Sequence, residues 1–145
     1  MSMLNPYLTF EGDCEEAFDF YKSIFGGDFT YKGRFGEMPP DPQNPVPEED
    51  KNKIMHISLP IGKDNVLMGS DTGGSWAAKT IFGNNFSLSI TASTKEEADK
   101  FHQKLSAGGK VTMPMASTFW GDYFGMCTDK FGINWMISFN EGKQG

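Results

Sequence analysis

The sequence predicts an α+β fold made of two tandem βαβββ modules, because one order of segments occurs twice. Each half contains a β-rich segment, a helical segment that ends in two glycines, and three further short β-rich segments. The tripeptide EEA begins at residue 15 and again at residue 96, and GG pairs begin at 26 and 108. Offsets of 81 and 82 residues indicate an internal duplication.

The modules are expected at about 4–71 and 86–139, joined by a linker at 72–85, within a single domain of 145 residues. We expect their mixed β-sheets to curl around a cleft, and one helix to cover one face of each sheet.

Two helices are predicted from their capping residues and apolar spacing. Asp13 with Glu16, and Thr94 with Glu97, have the capping-box spacing. Apolar residues then recur at helical intervals, and a pair of glycines ends each helix.

Eight strands are predicted, at 4–10, 28–35, 53–61, 65–71, 86–92, 110–117, 123–128 and 134–139. Alternate side chains of a strand point to opposite faces, so one face of each sheet is expected to be apolar and covered by the helix. The other, mildly polar face is expected to form a cavity wall. It carries Tyr7, Thr9, Ile54, His56, Ser58, Ser87, Ser89 and Met136.

The two histidines are interpreted differently. His56, on the polar face, is a candidate general base or ligand-orienting group, because the pKa of imidazole lies near neutrality. The alternative is a histidine satisfied by a neighbouring hydroxyl or carbonyl. His102 is expected to be a surface or half-buried residue of the second helix.

The aromatic segment STFWGDYF contains further candidates. Phe119, Trp120 and Tyr123 could line the pocket wall, with Asp122 as a base and Tyr123 as a hydrogen-bond donor. The alternative is turn chemistry, since Gly121–Asp122 resembles a hairpin signal.

Three charged residues and the linker aromatics are interpreted structurally or as partner contacts. Arg34 could bind an anion but is better explained as a strand-end charge, and Asp129 with Gly132 as a turn device. Asp71 is either a pocket group or the start of a loop. Trp76 and Phe82 in the linker favour packing against a second copy of the chain, so a homodimer is expected.

Composition excludes several classes. A net charge of −6 and no basic cluster make nucleic-acid binding improbable. No apolar run approaches the roughly 20 residues of a membrane span, and the start of the chain lacks a secretory pattern. Cys14 and Cys127 have neither metal-ligand nor disulfide spacing, so we expect both to be reduced and the protein to be cytoplasmic.

Three segments resemble the vicinal oxygen chelate superfamily, which includes glyoxalase I, extradiol dioxygenases and bleomycin-resistance proteins. They are PYLTFEGDCEEAFDFYKSIFGG, KIMHISLPIG with VLMGSD, and FWGDYFGMCTDKFGINWMIS, and they are most similar to the PhnB-like group. Methyltransferase labels in that group find no support in this sequence, which lacks the glycine-rich loop and acidic residue of a nucleotide-type cofactor site.

The resemblance implies metal-assisted chemistry with ligands on the first and last strands of each module. Here those positions offer Tyr7 or Thr9, Met68 or Ser70, Ser87 or Ser89, and Met136 or Ser138. None of these is a strong ligand for Zn²⁺, Ni²⁺ or Fe²⁺, so neither a metal nor another cofactor is expected.

Two functions remain open from the sequence. The first is binding of a small molecule in a metal-free cleft, as in bleomycin-resistance proteins. The second is a lyase, isomerase or dioxygenase, either with a degenerate or displaced metal site or using His56 with Asp122 or Tyr123 for proton transfer.

Overall fold

A computed structural model of the chain describes residues 2–39, 41–43, 45–72 and 80–141. The chain forms two compact units, Met1–Ile81 and Phe82–Gly145, called unit 1 and unit 2 below. The boundary falls inside the predicted linker. Trp76 lies outside the described residues.

The described part of unit 1 contains one α-helix and a four-stranded mixed sheet, besides two three-residue 3-10 helices at Phe35–Glu37 and Glu48–Asp50. In chain order the α-helix and the strands are β1 (Tyr7–Phe10), α1 (Cys14–Phe25), β2 (Tyr31–Arg34), β3 (Ile54–Ile61) and β4 (Asn65–Asp71). The strand order is β1-β4-β3-β2, with β1 parallel to β4 and the other pairs antiparallel.

Unit 2 repeats this arrangement. It contains β5 (Leu88–Thr91), α2 (Lys95–Ser106), β6 (Lys110–Ser117), β7 (Asp122–Thr128) and β8 (Asn134–Asn140), in the order β5-β8-β7-β6. The parallel pair is again formed by the first and last strands, β5 and β8. The α+β fold with two tandem modules is therefore confirmed. β4 and β6 have the predicted bounds, whereas β1, β2 and β5 are shorter than predicted and leave Ser87 just outside β5.

The two helices begin differently, and only one begins as predicted. The hydroxyl of Thr94 accepts a hydrogen bond from the Glu97 amide at 3.0 Å. Asp13 occupies the N-cap position of α1 but makes no side-chain capping bond. The buried carboxylate of Asp71 takes its place, accepting the amides of Gly12 at 2.8 Å and Cys14 at 2.9 Å.

Asp71 also holds the helix start to the sheet. Its second oxygen accepts the Ile54 amide at 2.9 Å, so one carboxylate satisfies three backbone donors from two parts of unit 1. Of its two sequence interpretations, the structure supports a structural role rather than a pocket group.

A β-bulge changes the predicted facing of β3. Gly33 pairs with His56, and Arg34 pairs with Ile54, so Met55 is an extra residue in β3. The extra residue reverses the alternation at the start of the strand. Ile54 is consequently buried rather than on the polar face, and the prediction for it was wrong.

The helix-covered faces form the two cores. In unit 1 the ring of Phe18 from α1 packs over Gly69 and meets Phe10 edge-on. In unit 2 the buried side chains include those of Ala98, His102 and Leu105 of α2, with Cys127 of β7 and Trp135 and Ile137 of β8.

The sequence predicts a surface or half-buried His102, whereas its side chain is buried. Its Nε2 lies 3.1 Å from the carbonyl oxygens of both Met113 and Met126. The β6–β7 register shifts on both sides of Met113, and the imidazole donates to carbonyls at this irregularity. The position is explained by backbone polar groups that neither the helical spacing nor the strand pattern reveals.

The two described α-helices are each 12 residues long, and no described helix is long and apolar enough to cross a membrane.

Candidate functional site

The face of the unit 1 sheet opposite α1 carries two rows of side chains. Cross-strand partners share a face, so the register assigns the members of each row. The first row is Tyr7, Met68, Ser58 and Tyr31. The second consists of two pairs, Thr9 with Ser70 and His56 with Gly33, and His56 shares the face of Ser58, two residues along β3. We call these eight residues the open face of unit 1.

His56 lies at the centre of the open face. Its Nδ1 is 3.1 Å from the Tyr7 hydroxyl, and its Nε2 is 2.9 Å from Ser58 Oγ. The ring stacks on Tyr7 with centroids 5.5 Å apart, and lies 5.6 Å from the Tyr31 ring. Tyr7 and Tyr31 are each about half exposed, with relative exposures of 48% and 49%. An imidazole between two tyrosine rings is thus presented beside solvent-accessible aromatic surface.

None of the eight residues of the open face is a lysine, arginine, aspartate or glutamate. The charges of β2 are directed to the helix side. Arg34 forms a two-pronged pair with Glu15 of α1, at 3.0 and 2.7 Å, and Lys32 Nζ is 2.5 Å from the same carboxylate. Hydrogen bonds from Arg34 and then from Lys32 lower the pKa of Glu15 to about 2. Arg34 therefore joins β2 to α1 through this ion pair, a contact that the prediction of a strand-end charge does not include.

The corresponding face of unit 2 has different chemistry. By the same register its rows are Ser89, Met136, Met126 and Met113, and Thr91, Ser138, Phe124 and Ala116. We call these eight residues the open face of unit 2. Three methionines and a phenylalanine give it a polarizable, adaptable apolar surface.

The hairpin between β6 and β7 presents two aromatic side chains. Thr118 closes it by donating to the Asp122 carbonyl from both its amide, at 2.8 Å, and its hydroxyl, at 2.7 Å. Phe119 is 97% exposed, and Trp120 lies 6.0 Å from the ring of Phe124, edge-on. The indole N–H donates to Asp122 at 3.0 Å. Asp122 is thereby engaged in the turn, in agreement with the turn interpretation of Gly121–Asp122.

Tyr123 lies on the helix side of the unit 2 sheet. Its hydroxyl donates to Asp99 of α2 at 2.5 Å, and Lys95 Nζ is 4.7 Å from its ring centroid. The bond to Asp99 raises the pKa of Tyr123 to about 12. The expectation that Tyr123 lines the same wall as Met136 is therefore wrong, because Met136 and Tyr123 belong to opposite faces.

The predicted site residues divide between the units. Unit 1 brings together Tyr7, His56 and Ser58, with Thr9 in the adjacent row. Unit 2 holds the others, and of these Ser89 is the cross-strand partner of Met136. The roles of all of them in binding or catalysis stay predictions.

Several residues of the two open faces are not among the site residues predicted from the sequence. Tyr31 and Met113 lie on strands to which no parity was assigned, and Phe124 and Met126 alternate with Tyr123 and Cys127 along β7. Applying the two-residue alternation to β2, β6 and β7 would have found the members on β2 and β7, whereas the register shifts of β6 obscure Met113.

The donor chemistry does not fit a chelated metal. The positions that the resemblance assigns to ligands pair Tyr7 with Met68 and Ser89 with Met136, next to further hydroxyls. Hydroxyls and thioethers are poor ligands for the divalent ions of that chemistry. Among the described residues, no three His, Cys, Asp or Glu side chains form a group that could hold a metal ion. We therefore derive no metal-dependent step.

Asp129 is buried and organises the β7–β8 turn, which confirms its predicted turn role. Its carboxylate accepts the amides of Phe131 at 2.8 Å and Ile133 at 3.0 Å, and the indole N–H of Trp135 at 2.9 Å. Gly132 supplies the positive φ, +89°.

Comparison with known proteins gives a consistent result. The chain is 34% identical over 141 residues to protein YjdN of Escherichia coli K12, covering 93% of each chain. It is similar to the crystal structure of PA1353 from Pseudomonas aeruginosa, with a TM-score of 0.81, 35% identity, and coverage of 97% of this chain and 98% of that one.

A further solved structure is described as a putative 3-demethylubiquinone-9 3-methyltransferase, the PhnB protein of Bacillus cereus. Its TM-score is 0.74 at 27% identity, over 95% of this chain and 99% of that one. The model of the Glyoxalase/Bleomycin resistance protein/Dioxygenase superfamily matches residues 4–137. With this match and the duplicated βαβββ arrangement, the chain belongs to the glyoxalase/bleomycin resistance protein/dioxygenase superfamily.

Proposed function

We propose that the protein binds a small, neutral, hydroxyl-bearing aromatic molecule on the open face of unit 1. The observation that carries the proposal is the pairing of His56 with two neutral hydroxyls between the rings of Tyr7 and Tyr31. The aromatic rings offer stacking surface, and the hydroxyls and imidazole offer donors and acceptors.

The absence of charged side chains among the eight residues of the open face of unit 1 favours a neutral ligand. Bringing a carboxylate or phosphate from water to a face without a counter-charge costs free energy that hydrogen bonds to neutral groups only partly offset. The nearest cations of β2, Lys32 and Arg34, are already engaged by Glu15 on the other side of the sheet. A neutral phenol or enol avoids this cost and can both donate and accept.

The test compares three probes of similar shape by calorimetric titration: 4-methylphenol, its charged analogue 4-hydroxybenzoate, and toluene. We expect 4-methylphenol to bind most tightly. His56→Phe keeps a ring but removes both nitrogens, and should weaken 4-methylphenol by about tenfold, which corresponds to about 1.4 kcal/mol. Toluene should bind more weakly than 4-methylphenol, and the same change should leave the affinity for toluene nearly unaffected.

Ser23→Ala is the matched control, since the Ser23 hydroxyl donates to the Phe20 carbonyl within α1, away from the open face. Preferential binding of 4-hydroxybenzoate, an unchanged affinity in His56→Phe, or no binding of any probe at millimolar concentration would each contradict the proposal.

We also propose that the protein is a cytoplasmic homodimer. Ile81 and Phe82 lie at the boundary between the two units along the chain. Their side chains are exposed at 93% and 56%, which supports coverage by a second copy. Cys14 and Cys127 are free and buried, which is typical of proteins in a reducing compartment. A monomer in sedimentation equilibrium at micromolar concentration would contradict the dimer.

A further inference from the structure

The side chain of Tyr31 folds back over its own strand. Its ring lies across Gly33, two residues along β2 on the same face: a Cβ added at Gly33 would lie 2.7 Å from the Tyr31 hydroxyl oxygen and 2.9 Å from Cε1 of its ring. Gly33 is buried although β2 is at the edge of the sheet. Glycine inside a strand often marks a close approach of this kind. Its missing side chain leaves a recess in the open face of unit 1, and the Tyr31 phenol fills that recess.

His56 forms the inner wall of the recess. It is the cross-strand partner of Gly33, and its ring centroid lies 5.6 Å from that of Tyr31 at an interplanar angle of 48°. Ser58, the cross-strand partner of Tyr31, lies at the other end, and its Oγ is 2.9 Å from His56 Nε2. The recess therefore has an imidazole along one side and a hydroxyl at the end where the Tyr31 side chain begins.

The two tyrosines of the open face are held differently. The Tyr7 hydroxyl is 3.1 Å from His56 Nδ1, within hydrogen-bond distance. The Tyr31 hydroxyl is directed over Gly33, at the far end of the recess from Ser58, and it makes no hydrogen bond to a residue that the structure describes. The Tyr31 ring is also half exposed. It can therefore leave the recess by giving up ring contacts, without breaking a hydrogen bond to the described part of the chain.

We propose that the recess over Gly33 is the subsite for the ligand's phenol ring, and that Tyr31 occupies it in the ligand-free protein as an internal competitor. The inference rests on the proposed binding function and narrows its ligand to a phenol of about the size of a tyrosine side chain. A free phenol can lie in the recess in the opposite direction, with its hydroxyl toward Ser58. Because Tyr31 is attached to β2 at that end, its own hydroxyl cannot reach Ser58. The ligand thus gains a hydrogen bond that Tyr31 lacks.

The experiment measures the affinity for 4-methylphenol, which has the shape of a tyrosine side chain, by calorimetric titration. Tyr31→Ala removes the competitor and should tighten binding by about tenfold, the change expected if Tyr31 occupies the recess about nine-tenths of the time. Gly33→Ala places a methyl group in the recess and should weaken binding at least about tenfold. Gly33 does not have a positive φ, so alanine causes no backbone strain there.

Two further variants are matched controls. Tyr31→Phe keeps a ring in the recess and should bind 4-methylphenol within about threefold of wild type, because the hydroxyl that it removes has no partner among the described residues. Phe119→Ala removes a ring that is 97% exposed in unit 2 and should leave the affinity unchanged.

The outcomes separate the two proposals. An affinity that is unchanged or weaker in Tyr31→Ala would make Tyr31 a fixed wall, which overturns the internal competitor and leaves the binding function standing. An unchanged affinity in Gly33→Ala also overturns the recess, whereas failure of the wild-type chain to bind any neutral probe overturns both proposals. If Gly33→Ala fails to fold, nuclear Overhauser contacts in the wild-type chain decide. The ring of bound 4-methylphenol must contact the Gly33 Hα protons and the Tyr31 ring must lose that contact, and ligand contacts elsewhere alone would overturn the inference.

Discussion

Units 1 and 2 place the same two residue types opposite each other in the middle of the sheet, but on exchanged strands. In unit 1 an isoleucine of β3, Ile57, faces Gly69 of β4. In unit 2 the glycine is on β7 and the isoleucine on β8, as Gly125 and Ile137. A different neighbour occupies the space above each glycine, so the duplicated fold keeps the volume of the pair rather than the residue at each position.

The open faces differ more strongly than the cores. Ser58 of β3 and Met126 of β7 have equivalent partners, Met68 and Met136, so His56 occupies the place that Phe124 occupies in unit 2. One copy of the fold therefore carries hydroxyls and an imidazole where the other carries thioethers and a phenyl ring. Side chains on an open face are free to diverge because they do not hold the sheet to the helix.

The largest effect on stability is expected from Asp71, whose carboxylate accepts amides at the start of α1. Asp71→Ala leaves two buried amides and one part-buried amide without an acceptor and should lower the free energy of unfolding by about 3 kcal/mol, measured by urea denaturation. Asp13→Ala is the matched control and should cost less than about 0.5 kcal/mol, because Asp13 makes no capping bond. A greater loss for Asp13→Ala than for Asp71→Ala would restore the capping box predicted from sequence.

The next largest effect on stability is expected at Gly69 of β4 and Gly125 of β7. A Cβ at Gly69 would lie 2.7 Å from the Phe18 ring and 2.8 Å from the Leu8 carbonyl oxygen, neither of which can move freely. A Cβ at Gly125 would meet first the flexible end of Met115. Gly69→Ala should therefore cost about 2 kcal/mol and Gly125→Ala about 1 kcal/mol, each by thermal denaturation. Equal costs would mean that the two cores tolerate overpacking equally.

The smallest effect on stability is expected from the ion pairs of Glu15. The described residues of unit 2 contain no equivalent ion pair. The pKa of Glu15 is lowered from 4.5 to about 2, so Glu15 contributes stability above pH 4.5 that is lost as the pH falls toward 2. The pair is partly exposed and screened, so Glu15→Gln should cost less than about 1 kcal/mol at neutral pH. The difference between wild type and variant should shrink to nothing across that acidic range in urea denaturation curves.

Glu16→Gln serves as the control for removing a negative charge near the start of α1, since Glu16 is exposed and next to Glu15 in sequence. A Glu15→Gln effect that persists unchanged at pH 2 would show that the contacts of Glu15 do not depend on its charge.

The sequence by itself determined the order of elements, the duplication, the ends of the helices and the residues on most strand faces. These depend on local rules: the two-residue alternation of strands, the helical spacing of apolar residues, and the conformational freedom of residues such as Gly26, at φ +80°. Tyr7, His56 and Ser58 were assigned to one face by such a rule, and the register places them together.

Only the tertiary structure decided which side chain caps α1, which residue of β3 turns inward, and which residue the Tyr123 hydroxyl binds. Asp71 lies 57 residues from the Cys14 amide it accepts, the bulge that buries Ile54 arises from pairing with β2, and the Tyr123 hydroxyl donates to Asp99 of α2. Each is a contact between segments distant in sequence. Local patterns cannot encode such contacts, because the free energy that selects them comes from partners that meet only when the chain has folded.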